Sequence, residues 1–233
     1  MKTTDEWRRL GQDDPLYAVA AHEGARGAWD DEAFYGLGRQ DWSDFEARWR
    51  QYEPSLGGTA VEIGCGAGRI THRMTDVFDR VVGLDVSPEM IERAKKVAPT
   101  AEFRNVNDTR VPLADDTADA VFTCHVLQHL ENLRHVTDYL FDCRRVLRPG
   151  GTIMVHLLLH EGDRPVAQRA WAEVKLAGTR ALRANRGAYS RVRRYRPDEV
   201  RAAMGRAGFS NVELREFQVS SNNDPHAFWF GRA

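Results

Sequence analysis

Three glycines at alternate positions follow a short apolar run in residues 61–69, VEIGCGAGR. Glycine permits a left-handed backbone and leaves no Cβ between the main chain and a ligand. The amides that begin the helix predicted after this turn then point towards whatever occupies it. One unit downstream, residues 81–85, VVGLD, form a second apolar run that ends at an acid, Asp85. Together the two segments predict a nucleoside-bearing ligand bound across the ends of two parallel strands.

The elements that position these residues alternate between strand and helix along most of the chain. Strands are predicted at 59–63, 80–85, 101–106, 119–124 and 152–159. Helices are predicted at 69–78, 88–97, 133–147 and 197–207, and the RPGG at 148–151 is expected to be a sharp stop. Such alternation favours a mostly parallel sheet with crossover helices on both faces. The C-terminal runs at 212–220 and 226–232 are separated only by a turn, so they predict an antiparallel hairpin.

The spacing of the glycines separates two kinds of nucleotide ligand. A dinucleotide-binding turn has the pattern Gly-x-Gly-x-x-Gly, in which the third glycine packs a helix beside a pyrophosphate. Here the third glycine comes one residue early and Arg69 stands in its place. Glu62, at the start of the turn, would also lie awkwardly beside a pyrophosphate. A cationic ligand without phosphate, such as S-adenosylmethionine (SAM), removes that conflict.

Four segments of the sequence resemble class I SAM-dependent methyltransferases of the small-molecule type. They are residues 61–69, 82–90, 121–130 and 146–151, in that order. The resemblance implies an α/β, Rossmann-like doubly wound sheet of seven strands, mostly parallel, with an antiparallel C-terminal hairpin strand and helices on both faces. It also implies an enzyme that transfers a methyl group from SAM and releases S-adenosylhomocysteine.

The resemblance also implies which residues hold the methionine and ribose parts of SAM. Gly64, Gly66 and Gly68 would form the floor under them, and Glu62 would be a supporting acid. The remaining candidates in this turn are Cys65 and Arg69.

The acids beyond the next two strands are candidates for the nucleoside part. Asp85 would accept hydrogen bonds from both ribose hydroxyls, although it could instead cap a turn, and Val86 could pack on the adenine face. The family usually has an acid after the third strand, where this sequence has Asn107 followed by Asp108. Asn107 can still accept a hydrogen bond through its amide oxygen. It is the preferred candidate for the adenine amino group, with Asp108 kept open and a plain turn as the alternative.

The residues that follow the fourth strand are expected near the sulfonium. The resemblance implies that main chain around Cys124 holds the SAM amino group. His125 is the first candidate for a catalytic group, because an imidazole can take a proton from an acceptor oxygen or nitrogen. The alternative is that His125 only shapes the pocket. His129 is a second candidate that could instead hydrogen-bond structurally, and Cys124 is not expected to be a nucleophile.

Two regions outside the predicted sheet would build the acceptor pocket. Residues 1–56 are interpreted as an N-terminal helical or lid segment, and residues 57–233 as the SAM-binding methyltransferase domain. Within the first, a helix is predicted at 41–52, and Tyr35 lies in an FYGLG run that could close over SAM or simply pack on the sheet. Within the second, the basic insertion at 160–196 could be a solvated helix face, a docking site for an acidic substrate or carrier protein, or a site for structured RNA.

The composition of the chain indicates which partners and which cellular compartment to expect. The net charge is −1 and three cysteines cannot all pair within the chain, which favours a reduced, cytoplasmic setting. Neither a signal peptide nor a membrane span is expected, and nucleic acid is not favoured. No residues have the sequence spacing of a metal site, so no metal is expected.

The sequence therefore predicts a methyltransferase for a small-molecule acceptor at oxygen, nitrogen or carbon. Methylation of a protein, an RNA or a carrier-bound substrate remains an alternative. Two alternatives from other classes are a SAM-binding protein without catalysis and a nicotinamide-dependent oxidoreductase.

Overall fold

A seven-stranded sheet forms the centre of the protein in the computed structural model, which describes residues 2–19, 29–159, 192–219 and 225–233. The strands are β1 (Thr59–Ile63), β2 (Arg80–Asp85), β3 (Glu102–Asn105), β4 (Ala118–Thr123), β5 (Leu147–His156), β6 (Ser210–Gln218) and β7 (Pro225–Arg232). Their order across the sheet is β3-β2-β1-β4-β5-β7-β6. The first five strands pair in parallel, and β7 pairs antiparallel with both β5 and β6. This arrangement confirms the predicted fold class.

The helices of the described residues connect and cover the strands. They are α1 (Lys2–Asp13), α2 (Pro15–Val19), α3 (Asp31–Tyr52), α4 (Thr71–Met74), α5 (Pro88–Val97), α6 (Leu133–Val146) and α7 (Pro197–Arg206), with a 3-10 turn at Leu127–His129. The helix starts follow from local sequence. Ser87 accepts a hydrogen bond from the Met90 amide at the start of α5, and Asn132 accepts one from the His135 amide at the start of α6. Among the described residues, no helix is both long enough and apolar enough to cross a membrane.

Each face of the sheet is covered by its own apolar cluster, because successive strand residues point to opposite faces. On one face, Val61 and Ile63 of β1 join a cluster that also contains buried residues of α6 and α7. On the other, Ala60 of β1 joins a cluster with aromatic residues of α3, among them Trp49. The Trp49 indole donates a hydrogen bond to the Thr152 hydroxyl on β5, which ties α3 to the middle of the sheet.

Three predicted boundaries are wrong for identifiable reasons. The helix predicted at 69–78 shortens to α4, because the Asp76 and Val77 amides bond to carbonyls three residues back instead of four. The strand predicted from residue 152 begins at Leu147, because Leu147 pairs with Ala118 of β4 and Gly150 and Gly151 exchange hydrogen bonds with Ala233. The helix predicted at 41–52 begins at Asp31, where the Asp30 carboxylate accepts from the Ala33 amide. Most of the basic insertion at 160–196 lies outside the described residues.

Candidate functional site

The glycine turn after β1 has the left-handed backbone that its residues permit. Gly64 and Gly66 have φ values of +74° and +53°. The amides of Gly64 and Cys65 both donate to the Leu84 carbonyl, at 2.7 and 3.0 Å, so the turn is fixed to the end of β2. A Cβ on Gly64 would lie 2.1 Å from a methyl carbon of Val126. Only glycine fits at this position, because the backbone is left-handed and a Cβ would collide with Val126.

The third glycine serves helix packing. Gly68 has a φ of +80°, and a Cβ there would lie 3.0 Å from the Cα of Ala94 on α5. Its close approach brings α5 against the turn. Gly68 itself lies outside the lining of the cleft described below.

Asp85 connects the turn to the start of α5. One carboxylate oxygen accepts from the Gly66 amide and the other from the Ser87 amide, each at 2.9 Å. Burial raises the pKa of Asp85, and these amide hydrogen bonds oppose that rise. The side chain keeps partial exposure on the cleft side, where its oxygens can accept further hydrogen bonds.

A cleft opens where the carboxyl ends of β1, β2 and β4 meet. Its lining includes eight of the residues singled out from the sequence, namely Gly64, Gly66, Asp85, Val86, Asp108, Cys124, His125 and His129. The structure thus brings together residues from four separate segments at the edge where open α/β sheets bind ligands. The other six, Tyr35, Glu62, Cys65, Gly68, Arg69 and Asn107, lie outside the lining.

Glu62 lies beneath the turn, buried in the protein. Its carboxyl accepts a hydrogen bond of 2.5 Å from the Thr71 hydroxyl. Burial raises the pKa of Glu62 to about 8, against the lowering effects of Thr71 and Arg69. The carboxyl is therefore largely protonated at neutral pH.

Arg69 and Tyr35 fasten α3 to the glycine turn. Arg69 forms a buried ion pair with Asp41 of α3. The Tyr35 hydroxyl donates to the Ala67 carbonyl at 3.2 Å. Phe34 is fully buried in a small cluster that includes Ala67. These contacts favour the packing interpretation of the FYGLG run over a mobile lid.

The two candidates after β3 differ in their surroundings. The Asn107 amide oxygen accepts a hydrogen bond from Arg8, which leaves that side chain at the rim. Asp108 lines the cleft, and its carboxylate accepts from the Arg110 amide at 2.9 Å. The geometry therefore favours Asp108 over Asn107, which the sequence preferred.

Sequence reasoning missed the contribution of α1 to the cleft. Thr4 and Trp7 line it, and the Trp7 ring lies edge-on to His129 with centroids 4.9 Å apart. Arg8 donates to the Val86 carbonyl at 3.0 Å. The spacing of Trp7 and Leu10 on one face of a short helix was a weak signal that this segment packs on the domain.

Three histidines meet at the end of the cleft beyond the glycine turn. His125 has a φ of +59°, and its ring centroid lies 4.4 Å from that of His156 and 5.2 Å from that of His226. Burial, with the nearby His226 and Arg69, lowers the pKa of His125 to about 3. His125 is therefore neutral at physiological pH, where it can accept a hydrogen bond but is a weak base. His156 and His226 could not be recognised from sequence, because they come from β5 and β7, which are distant along the chain.

Comparisons with known proteins agree with this geometry. Residues 61–155 match the family described as a methyltransferase domain. This stretch of the chain is similar to methyltransferase domains. A magnesium protoporphyrin IX methyltransferase from Synechocystis, solved with bound S-adenosylhomocysteine, superposes with a TM-score of 0.67 at 16% identity, covering 99% of this chain and 98% of that one. At that identity the likeness concerns the fold alone.

Two curated relatives differ in the acceptor that their names give. A ubiquinone biosynthesis O-methyltransferase from Mesorhizobium japonicum is 31% identical over 70% of this chain and 64% of its own length. A tRNA U34 carboxymethyltransferase from Hahella chejuensis is 31% identical over 54% of this chain and 39% of its own length. The chain thus spans less than two thirds of either relative.

Proposed function

We propose that this protein transfers a methyl group from SAM to a small-molecule acceptor at oxygen, nitrogen or carbon. The observation that carries the proposal is the Asp85 carboxylate, held by two amides at the end of β2 beside a turn without side chains. A vicinal pair of ribose hydroxyls can donate to such a carboxylate. SAM supplies an activated methyl group on its sulfonium, with S-adenosylhomocysteine as the product.

Different residues of the cleft bind different parts of SAM. Gly64 and Gly66 line the cleft without side chains, so the methionine and ribose would lie against the main chain there. Val86 packs on the adenine face and Asp108 accepts from its amino group, with Asn107 as the alternative. Glu62 supports the turn from below, and main chain at Cys124 faces the methionine end.

The protein accelerates the transfer chiefly by alignment. An in-line displacement needs the acceptor lone pair about 3–3.5 Å behind the methyl carbon, and positioning of that kind lowers the barrier substantially. His125 and His129 line the cleft, and their role would be to position the acceptor through hydrogen bonds. The low pKa of His125 argues for this positioning role over proton abstraction.

The small-molecule acceptor is supported by a relative that matches 70% of this chain and whose name places it in ubiquinone biosynthesis. The cleft is bordered by apolar side chains of Trp7, Leu130 and Tyr139, which suit a partly apolar acceptor. A tRNA or carrier-bound acceptor is the second candidate, favoured by the other relative and by the basic insertion. Incubation with labelled SAM and separate metabolite, carrier-protein and tRNA fractions distinguishes them by the fraction that acquires label.

The binding of SAM is tested by Asp85→Asn. Hydrogen bonds to a charged acceptor contribute about 1.5–3 kcal/mol each, so losing the charge should weaken S-adenosylhomocysteine binding roughly 10- to 150-fold. Calorimetric titration measures this, with Asp76→Asn as the control, since the Asp76 side chain is 65% exposed in a turn after α4. Equal affinity for the two variants, or tighter binding of NADH than of SAM by the native protein, would overturn the proposal.

A further inference from the structure

Three side chains with metal-binding atoms converge beside the cleft. Cys124 and His125 follow β4, and His156 ends β5, the neighbouring strand. One ligand atom from each of the three lies within 4.8 Å of the other two. A tetrahedral Zn²⁺ site places its nitrogen and sulfur ligands roughly 3.3–3.8 Å apart, given typical bond lengths. Small side-chain rotations would therefore bring the three atoms to bonding distance of one ion.

The surroundings of His156 point to a missing ligand. His156 is 0% exposed, and its Nε2 lies 3.1 Å from Nδ1 of His226. Its other ring nitrogen, Nδ1, is buried and makes no hydrogen bond with any described residue. Buried polar atoms nearly always have a bonding partner, so a ligand is expected at this nitrogen. The arrangement is the one found at metal sites, where a second group holds the ligating imidazole through its other nitrogen.

We propose that Cys124, His125 and His156 bind one divalent transition-metal ion of the Zn²⁺ type, and that His226 orients His156. One thiolate and two imidazoles are the donors that borderline-soft divalent ions prefer, whereas Mg²⁺ and Ca²⁺ prefer oxygen. Three protein ligands leave a fourth position open, as in catalytic zinc sites. This site departs from the expectation of no metal, which rested on spacing along the sequence.

The location of the site gives the metal a role in the proposed reaction. Cys124 and His125 both line the cleft, so an ion that they hold would lie at the cleft wall. A metal ion there would orient an acceptor hydroxyl and lower its pKa, so that its proton passes to water and the oxygen attacks the methyl carbon. That role rests on the proposed function, whereas metal binding itself does not.

Metal binding is tested directly on the full-length protein without a histidine tag. The purified protein is treated with a chelator, and Co²⁺ is then titrated while the visible and near-ultraviolet spectra are recorded. The expected result is one Co²⁺ per chain, with d–d bands of a four-coordinate ion and a thiolate charge-transfer band. Zn²⁺ should displace it stoichiometrically. A protein that takes up no metal, with the three imidazoles only hydrogen-bonded to one another, would overturn the proposal.

Variants assign the ligands. Cys124→Ser should abolish the charge-transfer band, and His156→Gln should weaken Zn²⁺ affinity more than about 100-fold, since loss of an outer-shell partner alone costs about 10- to 100-fold. His226→Gln should weaken it by about that outer-shell amount. His72→Gln, on α4, is the matched control and should bind like the native protein. Circular dichroism checks that each variant is folded, and undiminished binding by folded Cys124→Ser and His156→Gln would contradict the ligand set.

The two proposals fail in distinguishable ways. Titration of the metal-free protein with S-adenosylhomocysteine tests the donor site without the metal. Binding of S-adenosylhomocysteine without metal uptake would disprove the metal site and leave the proposed function standing. Metal uptake without binding of the nucleoside would leave the metal site standing and remove its role in methyl transfer.

Discussion

Glu62 shows how a single buried acid changes its chemistry with its surroundings. The sequence placed a carboxylate at the start of the glycine turn, as a supporting acid for a cationic ligand. In the structure its carboxyl is buried below the turn and bonded to Thr71, with a pKa raised to about 8 from 4.5. The folded protein therefore retains a proton on Glu62 at pH values where the unfolded chain has lost it.

This difference predicts a pH dependence of stability. Because the native state binds the extra proton, the contribution of Glu62 to the free energy of unfolding falls as the pH rises from about 4.5 to about 8. Glu62→Gln removes this pH dependence. The free energy of unfolding of the variant should therefore rise relative to that of the native protein between these pH values, by a few kcal/mol at pH 8, since one pKa unit corresponds to about 1.4 kcal/mol. Urea unfolding at several pH values measures the difference. A difference that stays constant with pH would show that Glu62 is already ionised in the folded protein.

Helix α3 and the glycine turn form one packed unit at the scale of elements. Gly38 is buried in α3, and a Cβ there would lie 2.4 Å from Cγ and 2.6 Å from the carbonyl oxygen of Arg69. The two glycines of the FYGLG run suggested a hinge from sequence alone. In the structure Gly38 instead allows α3 to approach the turn closely, where the Arg69–Asp41 ion pair joins them.

Alanine substitution separates close packing from hinge motion. Gly38→Ala should lower the free energy of unfolding by about 1–3 kcal/mol, because the backbone of Arg69 cannot easily move away. Gly36→Ala is the control, since its Cβ would meet only the end of the Arg39 side chain, at 3.4 Å. It should raise stability by roughly 0.5–1 kcal/mol through helix propensity. Thermal and urea unfolding compare the two, and equal stabilisation would argue against the close contact.

Elements that neighbouring residues determine were predicted more closely than elements that other contacts shape. Strands β1, β2 and β4 were predicted closely because continuous apolar runs with abrupt ends determine them. The helix after the glycine turn was predicted too long because the Asp76 and Val77 amides bond three residues back, which ends the α-helical pattern. The start of β5 was missed because Leu147 pairs with Ala118, and Gly150 and Gly151 bond to Ala233, which is distant along the chain.

In the assembled molecule, the N-terminal α1 packs over the cleft beside the segments that follow β2 and β3. Arg8 donates to the Val86 carbonyl and to Asn107, and Gln12 donates to Glu89 at the start of α5. These contacts join α1 to the segments that follow β2 and β3 and to the start of α5. The cleft is thus closed partly by a segment that lies outside the matched methyltransferase domain.

Removal of the Arg8 contacts should weaken the donor site without unfolding the protein. Arg8→Ala is expected to reduce S-adenosylhomocysteine affinity about 2- to 10-fold, from the loss of one or two hydrogen bonds of ordinary strength, with a faster dissociation rate. Arg9→Ala is the matched control, because Arg9 is exposed on the same helix. Calorimetry and stopped-flow fluorescence measure affinity and rate. Identical behaviour of the two variants would show that α1 does not cover the donor.

Patterns of neighbouring residues were enough to predict part of this protein. The glycine turn, Asp85 at the end of the next strand and the alternation of strand and helix are such patterns, so the fold and the cleft residues that follow β1 and β2 could be predicted. Three features depend on the three-dimensional arrangement: Asp108 rather than Asn107 lines the cleft, α3 packs against the turn, and Cys124, His125 and His156 converge. Those outcomes depend on the order of strands in the sheet, which places β5 beside β4 and β7 beside β5. Side chains distant along the chain become neighbours there, and no spacing in the sequence records it.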